Sequence, residues 1–314
     1  MKKLIKRIAA FNDLSTFGKC SLTVVIPTLS AMGYEVCPIV TSYLSAHTGF
    51  SDPANFDLSH TTNDIINHLK KLKVDFDAVF TGYIPTVEQM ENIKQFVIES
   101  KINKKFVMVD PVLGDDGKLY TFFDNSSVKK MRELCLYADI ITPNYTEACF
   151  LANLPYKEEM TKENARTLID KLNSMGYANK IIVTSAPVDG KKCMLVSEYG
   201  ELEIIECEYV NGEYCGAGDV FSSVVLGEML DGKNVLDAAK EAHGVLKEII
   251  SETYRMGGTW EQGLVYEKFF QFNKKINWQT FIDMIKCSMV NILGLGIKQI
   301  NSAHLWPFTK IYDK

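Results

Sequence analysis

The chain has 314 residues, of which 46% are hydrophobic and 23% are charged, and its formal net charge is −5. This composition predicts one large or two small globular domains, and the net charge offers no electrostatic case for a nucleic-acid partner. No uninterrupted apolar run approaches the roughly 18 residues that a spanning helix needs, and no signal peptide is indicated. The eight cysteines contain no CxxC pair. They predict reduced thiols in a cytoplasmic protein with no membrane partner.

Short apolar runs alternate with segments of helical periodicity along most of the chain. The predicted strands are 5–11, 35–41, 77–80, 106–109, 138–142 and 180–184, followed by an antiparallel pair at 194–197 and 202–206. The predicted helices are 22–32, 62–72, 87–100, 127–137, 162–175 and 220–230. Residues 12–18 and 45–52 read as loops. Strands separated by helices form parallel βαβ units, so we expect an α/β domain with a mainly parallel sheet and helices on both faces.

Polar clusters follow the predicted strands. They are Asn12-Asp13, His47-Thr48-Gly49, Gly82-Tyr83, Asp110-Pro111, Thr142-Pro143-Asn144 and Thr184-Ser185. In such sheets ligands bind outside the carboxyl ends of the strands. We therefore expect these clusters to converge on one edge and to form a single site there.

A glycine-rich turn, CGAGD at residues 215–219, precedes the apolar helix predicted at 220–230. Free backbone N–H groups and the helix dipole make such a turn a site for anions. Asp219 would lie beside the anion, where a carboxylate can take a proton from a nucleophile that attacks a phosphate. The alternative is an ordinary loop with an acidic first turn, but the convergence of the strand ends favours the site.

Three motifs resemble the ribokinase superfamily: DPVLGD at 110–115, ITPN at 141–144 with Glu147, and GAGD at 216–219. Within it, SAHTG at 45–49 and TGY at 81–83 look like the pyridoxal (vitamin B6) kinases. The resemblance covers residues 6–268 in the order and spacing of the family. It implies a ribokinase-like fold without a separate lid domain. It also implies ATP-dependent phosphorylation of the 5′-hydroxyl of pyridoxal, pyridoxine or pyridoxamine.

The resemblance implies roles for the residues at the phosphate end. Asp219 matches the catalytic base, and Gly216, Ala217 and Gly218 match the anion hole that holds the transferring phosphate. The family more often has threonine where Ala217 stands, which removes a hydroxyl but keeps the backbone donors. The residues that match the ATP-binding positions are Asp115, Asn144, Glu147, Thr184, Ser185, Gly216 and Gly218.

The same resemblance implies cations. Asp110 and Glu147 match the acidic pair near Mg²⁺, with contact through water, while Thr142 and Thr184 match positions associated with a monovalent cation such as K⁺. From the residues alone, Asp110 is equally consistent with an acidic residue that simply ends a strand before a proline. Glu147 likewise reads as an acid in the first turn of a helix.

On the substrate side, Asn12, Thr48 and Tyr83 match positions that face the pyridine ring of the vitamer. Asp13 remains a rival to Asn12, because the first loop aligns only to within about a residue. Tyr83 also reads as a packed core tyrosine, and His47 as a residue that stabilises its loop. The match at the vitamer end is therefore looser than at the phosphate end.

Two other functions are consistent with these residues. A second branch of the superfamily phosphorylates hydroxymethylpyrimidine in thiamine synthesis, and Asp13 and Ser15 are similar to its first loop, although the glycines of that loop are missing. A non-catalytic vitamer-binding protein is the other, and the presence of Asp219, Asn144 and Glu147 argues against it.

The resemblance ends near residue 268, so we expect a kinase domain at 1–269 and an extension at 270–314. Apolar residues in the extension recur at helical spacing between Phe281 and Leu293, which predicts a helix that packs on the kinase or on a partner subunit. Family analogy implies a homodimer.

Overall fold

The computed structural model describes residues 4–208, 210 and 212–270. The chain divides into two compact units, Met1–Tyr266 and Glu267–Lys314. In the second unit only the turn at 267–270 is described, so the helix predicted around residues 281–293 lies outside the described residues. All the elements below belong to the first unit, where no described helix combines the length and the apolar character that crossing a membrane requires.

The described part of the chain forms a nine-stranded sheet and a small hairpin. The sheet strands are β1 (Arg7–Phe17), β2 (Glu35–Ala46), β3 (Asn55–Asp57), β4 (Ala78–Thr81), β5 (Phe106–Val109), β8 (Ile140–Ile141), β9 (Lys180–Val188), β10 (Lys191–Glu198) and β11 (Glu201–Glu206). The hairpin strands are β6 (Gly114–Asp115) and β7 (Lys118–Leu119). The sheet order is β11-β10-β9-β8-β5-β4-β1-β2-β3. The strands from β9 to β2 are parallel, and β3, β10 and β11 are antiparallel to their neighbours. The predicted mainly parallel sheet is confirmed.

Eight helices in the described residues form two groups. They are α1 (Leu22–Ala31), α2 (Ser59–Lys71), α3 (Val87–Ile102), α4 (Asn125–Cys135), α5 (Tyr145–Ala152), α6 (Lys162–Ser174), α7 (Ala217–Leu230) and α8 (Val235–Arg255). Helices α2 to α6 each pack on the next, while α7 packs on both α1 and α8. Alternate strand residues such as Ala9 and Phe11 join the core under the first group, while Ile8 and Ala10 point the other way. Helices therefore cover both faces, as predicted.

The loop predicted at residues 12–18 is wrong, because β1 continues through this segment to Phe17. The strand keeps its pairing with β2, and the register shifts between Asn12 and Leu14. Polar residues are tolerated in the buried strand because Asn12 and Ser15 find side-chain or backbone partners there. Because β1 continues past residue 11, Asn12 is part of the sheet, and the strand pairing fixes its position.

The carboxyl ends of the central strands are tied together by backbone hydrogen bonds. These run from Gly82 N to Phe11 O, from Asp110 N to Thr81 O, from Thr142 N to Val109 O and from Thr184 N to Pro143 O. They align the residues that follow β4, β5 and β8 with Asn12 in β1 and Thr184 in β9 along one edge. The predicted convergence of these polar clusters is what the topology produces.

Candidate active site

Asp219 lies in the first turn of α7, and both of its carboxylate oxygens are held by hydrogen bonds. The backbone N–H of Ser21 donates to Oδ2 at 2.8 Å, and the side-chain Nδ2 of Asn12 donates to Oδ1 at 3.3 Å. One donor comes from the loop before α1 and the other from β1. The carboxylate is thus oriented by segments from the opposite end of the chain.

The turn before Asp219 has the geometry of an anion site. Gly216 has φ 83°, and a Cβ there would lie 2.2 Å from the carbonyl oxygen of Lys19, so only glycine fits this position. Gly218 borders open space, since a Cβ there would meet nothing within 4 Å. Ala217 N–H donates to Tyr214 O at 3.3 Å. The N–H groups of Gly218 and Asp219 belong to the first helical turn, where no intrahelical acceptor exists.

The pKa of the Asp219 carboxyl is raised well above its usual value. Burial is the largest cause, and the negative charges of Asp110 and Asp13 act in the same direction, while the hydrogen bond from Ser21 opposes them. Asp13 is itself buried, and burial raises its pKa to about 6. The site therefore concentrates negative charge around a carboxylate that binds a proton more tightly than a surface aspartate does.

Asn12 connects Asp219 to the end of β4. Its Oδ1 accepts hydrogen bonds from Tyr83 N at 2.8 Å and from Asp13 N at 3.0 Å, which directs its Nδ2 toward Asp219. The Tyr83 ring is buried and packs 5.4 Å from the Phe123 ring. The structure thus brings Asn12, Tyr83 and Asp219 together. Thr48, by contrast, is exposed in the turn that follows β2.

Asp110 directly follows β5 and is buried in a short polar network with α7. Its Oδ2 accepts a 2.6 Å hydrogen bond from Ser222 Oγ, and Ser222 Oγ also lies 3.3 Å from Thr142 Oγ1. Burial raises the pKa of Asp110 to about 7, and the Ser222 hydrogen bond opposes that rise. Ser222 stands three residues after Asp219, so one face of α7 presents both side chains to the site.

Glu147 and Asn144 begin helix α5 as a capping box. Asn144 Oδ1 accepts from Glu147 N, and Glu147 Oε2 accepts from Asn144 N, each at 2.8 Å. Glu147 Oε1 accepts from Leu113 N at 3.0 Å, and Asn144 Nδ2 donates to Gly114 O at 2.8 Å. The two side chains therefore fix the segment that follows β5 as well as the helix. The helix-capping interpretation of Glu147 describes its contacts.

The carboxylate oxygens of Asp110 and Glu147 are ligands that fit a hydrated divalent cation. Burial and then the charge of Asp110 raise the pKa of Glu147 well above its usual value, and neither acid forms an ion pair within the described residues. A nearby cation would favour their charged forms. The described residues contain no group of three or more His, Cys, Asp or Glu arranged to hold a metal alone. Mg²⁺, which keeps waters and uses phosphate oxygens, suits such an incomplete set.

The remaining predicted ATP residues lie along the same edge. Thr184 in β9 forms a parallel bridge with Asn144, and Ser185 beside it is exposed with φ 59°. Asp115 is exposed in the β6–β7 hairpin, where its Oδ1 accepts from Asp116 N at 3.0 Å. Asp115 and Ser185 are therefore exposed, unlike the buried carboxylates of Asp110 and Glu147.

Sequence reasoning missed the contributions of Ser21 and Ser222. The spacing of Ser222 from Asp219 is a signal that could have indicated a shared helix face. Ser21 acts through its backbone N–H, which no side-chain pattern reveals. His47 was interpreted as stabilising its loop, and its contacts are of that kind: Nε2 lies 3.0 Å from Glu261 O, and Nδ1 accepts from Gly49 N at 3.2 Å.

Comparison with known proteins agrees with this geometry. The family model for phosphomethylpyrimidine kinase matches residues 25–263. A pyridoxal kinase from Dictyostelium discoideum is 28% identical over 244 residues, which cover 72% of this chain and 79% of that protein.

Solved structures are also similar. A Bacteroides thetaiotaomicron protein, crystallised with pyridoxal and named for phosphomethylpyrimidine kinase, has a TM-score of 0.80 at 37% identity and covers 85% of this chain and 94% of its own. Pyridoxal kinase from Leishmania donovani in complex with ADP and pyridoxamine has a TM-score of 0.73 at 25% identity, with coverage of 86% and 97%. The chain therefore belongs to the phosphomethylpyrimidine kinase family, within the ribokinase-like fold of the pyridoxal kinases.

Proposed function

We propose that the protein is an ATP-dependent pyridoxal kinase, which transfers the γ-phosphoryl group to the 5′-hydroxyl of pyridoxal, pyridoxine or pyridoxamine. The observation that carries this proposal is the setting of Asp219. Its carboxylate is held by Asn12 and Ser21, beside the open first turn of α7 at Gly218. A base next to an anion site is what a phosphoryl transfer to an alcohol requires.

In the proposed step, Asp219 accepts the proton of the 5′-hydroxyl while that oxygen attacks the γ-phosphorus. The bond between this phosphorus and the β–γ bridging oxygen breaks, and ADP leaves. The N–H groups at the start of α7 stabilise the charge on the transferring oxygens. Because burial and neighbouring acids raise the pKa of Asp219, its carboxylate is a better base near neutral pH than an exposed aspartate.

We assign the nucleotide to the edge formed by Asp115, Asn144, Glu147, Thr184 and Ser185. Asp110 and Glu147 would hold Mg²⁺, largely through water. Bound Mg²⁺ neutralises charge on the ATP phosphates.

A monovalent cation such as K⁺ is assigned to Thr142 and Thr184. ADP in the Leishmania donovani relative supports the use of ATP. Omission of Mg²⁺ or K⁺ from the assay tests each cation separately.

The vitamer is assigned to the neighbourhood of Asn12, Thr48 and Tyr83. Asn12 is the strongest of the three, because its side chain already contacts Asp219 and the backbone of Tyr83, which follows β4. A substrate hydroxyl presented to Asp219 would lie within reach of the Asn12 amide. Thr48 is exposed, so it would join the site only through a movement of its turn.

Hydroxymethylpyrimidine kinase is the second candidate, because the matching family model carries that activity in its name. The Bacteroides thetaiotaomicron relative was also named for it, yet its crystal contains pyridoxal. This favours the vitamer as substrate. A vitamer-binding protein without catalysis would not need the two hydrogen bonds that orient Asp219.

The test is ADP release from ATP with pyridoxal, pyridoxine, pyridoxamine and hydroxymethylpyrimidine compared at equal concentrations. We expect turnover with at least one vitamer and a kcat/KM for it above that for the pyrimidine. A preference for the pyrimidine would establish the second candidate instead. Vitamer binding without ADP release from any of the four would identify a binding protein.

A homodimer and a cytoplasmic location complete the proposal. The dimer rests on family analogy, and the location rests on the cysteine pattern, which is typical of reduced thiols. Sedimentation velocity of the full chain tests the dimer, and localisation of a tagged copy tests the compartment.

A further inference from the structure

Two cysteines from distant parts of the chain meet beside the anion turn. Cys20 is buried and Cys215 is partly buried, and the residues next to them are in contact, since a Cβ on Gly216 would lie 2.2 Å from Lys19 O. The backbones around them also touch: one Cβ placed on Gly263 would lie 2.9 Å from Lys19 O and 3.1 Å from Cys215 O. The two segments that carry the cysteines are therefore neighbours in the fold, as the formation of a disulfide between them requires.

His47 completes the cluster. Its imidazole is buried, and its two nitrogens contact Glu261 O and Gly49 N. Cys215 N donates to Trp260 O at 3.3 Å, so Cys215 is joined to the turn that holds the imidazole. The ring is also held 5.2 Å from the Trp260 ring. A histidine close to a cysteine favours the thiolate when the imidazole carries a proton, which is a recurring feature of reactive cysteines.

The two thiols differ in acidity. Hydrogen bonding from Cys20, followed by that from His47, lowers the pKa of Cys215 to about 5 against the opposing effect of burial. The pKa of Cys20 is raised well above its usual value, first by its hydrogen bond to Cys215 and then by burial. Asp13 and Asp219 act in the same direction on Cys20. Cys215 is therefore the nucleophile of the pair, and Cys20 remains protonated beside it.

We propose that Cys215 and Cys20 are a redox switch, in which a hydroperoxide converts the pair to a disulfide and stops phosphoryl transfer. The regulatory part of this inference rests on the proposed kinase function. The disulfide itself does not.

The chemistry takes two steps. The Cys215 thiolate attacks a peroxide oxygen, so that an S–O bond forms and the O–O bond breaks. Cys215 becomes a sulfenic acid, and the leaving hydroxide takes up a proton to become water when the peroxide is hydrogen peroxide. Cys20 then loses its proton and attacks the Cys215 sulfur. The S–S bond forms, the S–O bond breaks, and the hydroxide leaves as water with that proton.

The position of the pair explains why the disulfide would stop the reaction. Cys215 directly precedes Gly216 in the anion turn, and Cys20 directly precedes Ser21, whose N–H holds Asp219 at 2.8 Å. An S–S bond of about 2.0 Å fixes the separation of the two sulfurs, so a disulfide constrains both segments where they support the base and the anion turn. A shift there moves either the phosphate donors or the base.

The experiment treats the reduced full-length protein with hydrogen peroxide, stops the reaction with catalase, and then follows two readouts. Alkylation and peptide mass mapping identify the disulfide, and ADP release with the best vitamer gives kcat. We expect a Cys20–Cys215 disulfide and a loss of kcat of roughly 100-fold, the scale that small misplacements at active sites produce. Dithiothreitol should restore the activity.

Two variants sharpen the test. In Cys20→Ser the resolving thiol is gone, so Cys215 should proceed to a sulfinic acid that dithiothreitol does not reverse. Cys207→Ser is the matched control. Cys207 is also partly buried, but burial raises its pKa to about 11, and this variant should respond as the wild type does. Cys20→Ala replaces Cys20→Ser if the serine variant does not fold.

Three results would overturn the switch. They are a peroxide-treated protein in which both thiols remain free, a disulfide between other cysteines, and a Cys20–Cys215 disulfide in a protein that keeps its full kcat. If no substrate gives turnover, the mass map still reports whether the pair forms. Failure of the proposed function is thus separate from failure of the disulfide.

Discussion

The backbone N–H of Ser21 donates a 2.8 Å hydrogen bond to Oδ2 of Asp219, which stands 198 positions later in the chain. Ser21 adopts φ 51° and ψ −131°, a backbone conformation that residues other than glycine rarely adopt. This backbone strain persists where the proposed base is held. The strained backbone of Ser21 therefore directs its N–H toward the proposed catalytic carboxylate of Asp219.

Ser21→Gly should stabilise the protein relative to Ser21→Ala by about 1 kcal/mol or more, because glycine adopts this conformation without strain. Both variants lose the hydroxyl and keep the N–H that holds Asp219, so the comparison isolates the backbone. Urea unfolding measures the difference, and kcat should agree between the two variants within a few fold. Equal stabilities would mean that the position carries no strain.

Gly82→Ala should lower kcat by roughly 10- to 100-fold, because it displaces a side chain that positions the base. A Cβ on Gly82 would lie 2.4 Å from Nδ2 of Asn12, the atom that contacts Asp219. Steady-state kinetics with the preferred vitamer measure the effect.

Gly244→Ala is the control for this change. Gly244 is exposed within α8 and a Cβ there meets nothing within 4 Å, so the variant should keep its kcat and gain a few tenths to 1 kcal/mol in stability. A Gly82→Ala enzyme with the kcat of the control would show that Asn12 does not position Asp219.

The sequence predicts much of the scaffold, because the strands that form it are short, apolar and bounded by turns. Strand β5 occupies the predicted residues 106–109, and the antiparallel pair around Gly200 is also where the pattern indicates it. The anion turn at 216–219 is predictable for the same reason, since glycine and helical periodicity are local signals. Local signals are therefore sufficient to predict these strands and the position of the anion turn.

The other half of the site depends on contacts between distant segments. Asn12 looks like a loop residue, and only its bonds to Tyr83 and Asp219 make it acceptable inside β1. The pairing of Cys20 with Cys215 and of Ser21 with Asp219 exists only once α1 and α7 pack together. No periodicity in the sequence encodes such pairs, which is why they could not be predicted.

Asp13→Asn should stabilise the protein at alkaline pH and not at acid pH. Burial raises the pKa of Asp13 to about 6 from an ordinary 3.8, so the folded protein binds this proton more tightly than the unfolded chain does. The wild type consequently loses stability as the pH rises through this interval, and the loss is complete above about pH 7. A shift of roughly two pKa units corresponds to about 3 kcal/mol at most.

Melting temperatures of Asp13→Asn and the wild type, measured from pH 4 to pH 8, test this directly. The two curves should approach each other near pH 4, where Asp13 is neutral in the folded wild type, and separate by several degrees at pH 8 with the variant higher. Asp110, Glu147 and Asp219 titrate in both proteins, so the difference reports Asp13. A variant that is less stable at pH 8 would contradict the assignment.

Removal of residues 270–314 should leave kcat and KM within a few fold of the full chain. The family match ends at residue 263, and every proposed site residue lies in the unit Met1–Tyr266. Kinetics and circular dichroism of the truncated protein measure activity and folding together. A folded but inactive truncation would mean that the extension contributes to the reaction.

The central claim is that Asp219 removes the proton of the substrate hydroxyl. Asp219→Asn keeps the shape of the side chain and removes the base, so kcat should fall by roughly 10²- to 10⁴-fold while the Kd for ATP and for the vitamer stays within a few fold. Asp189→Asn is the matched control. It makes the same chemical change in the exposed β9–β10 turn and should retain the wild-type kcat. The most direct measurement is a single-turnover rate with saturating ATP and vitamer. A rate near that of Asp189→Asn would contradict the assigned role.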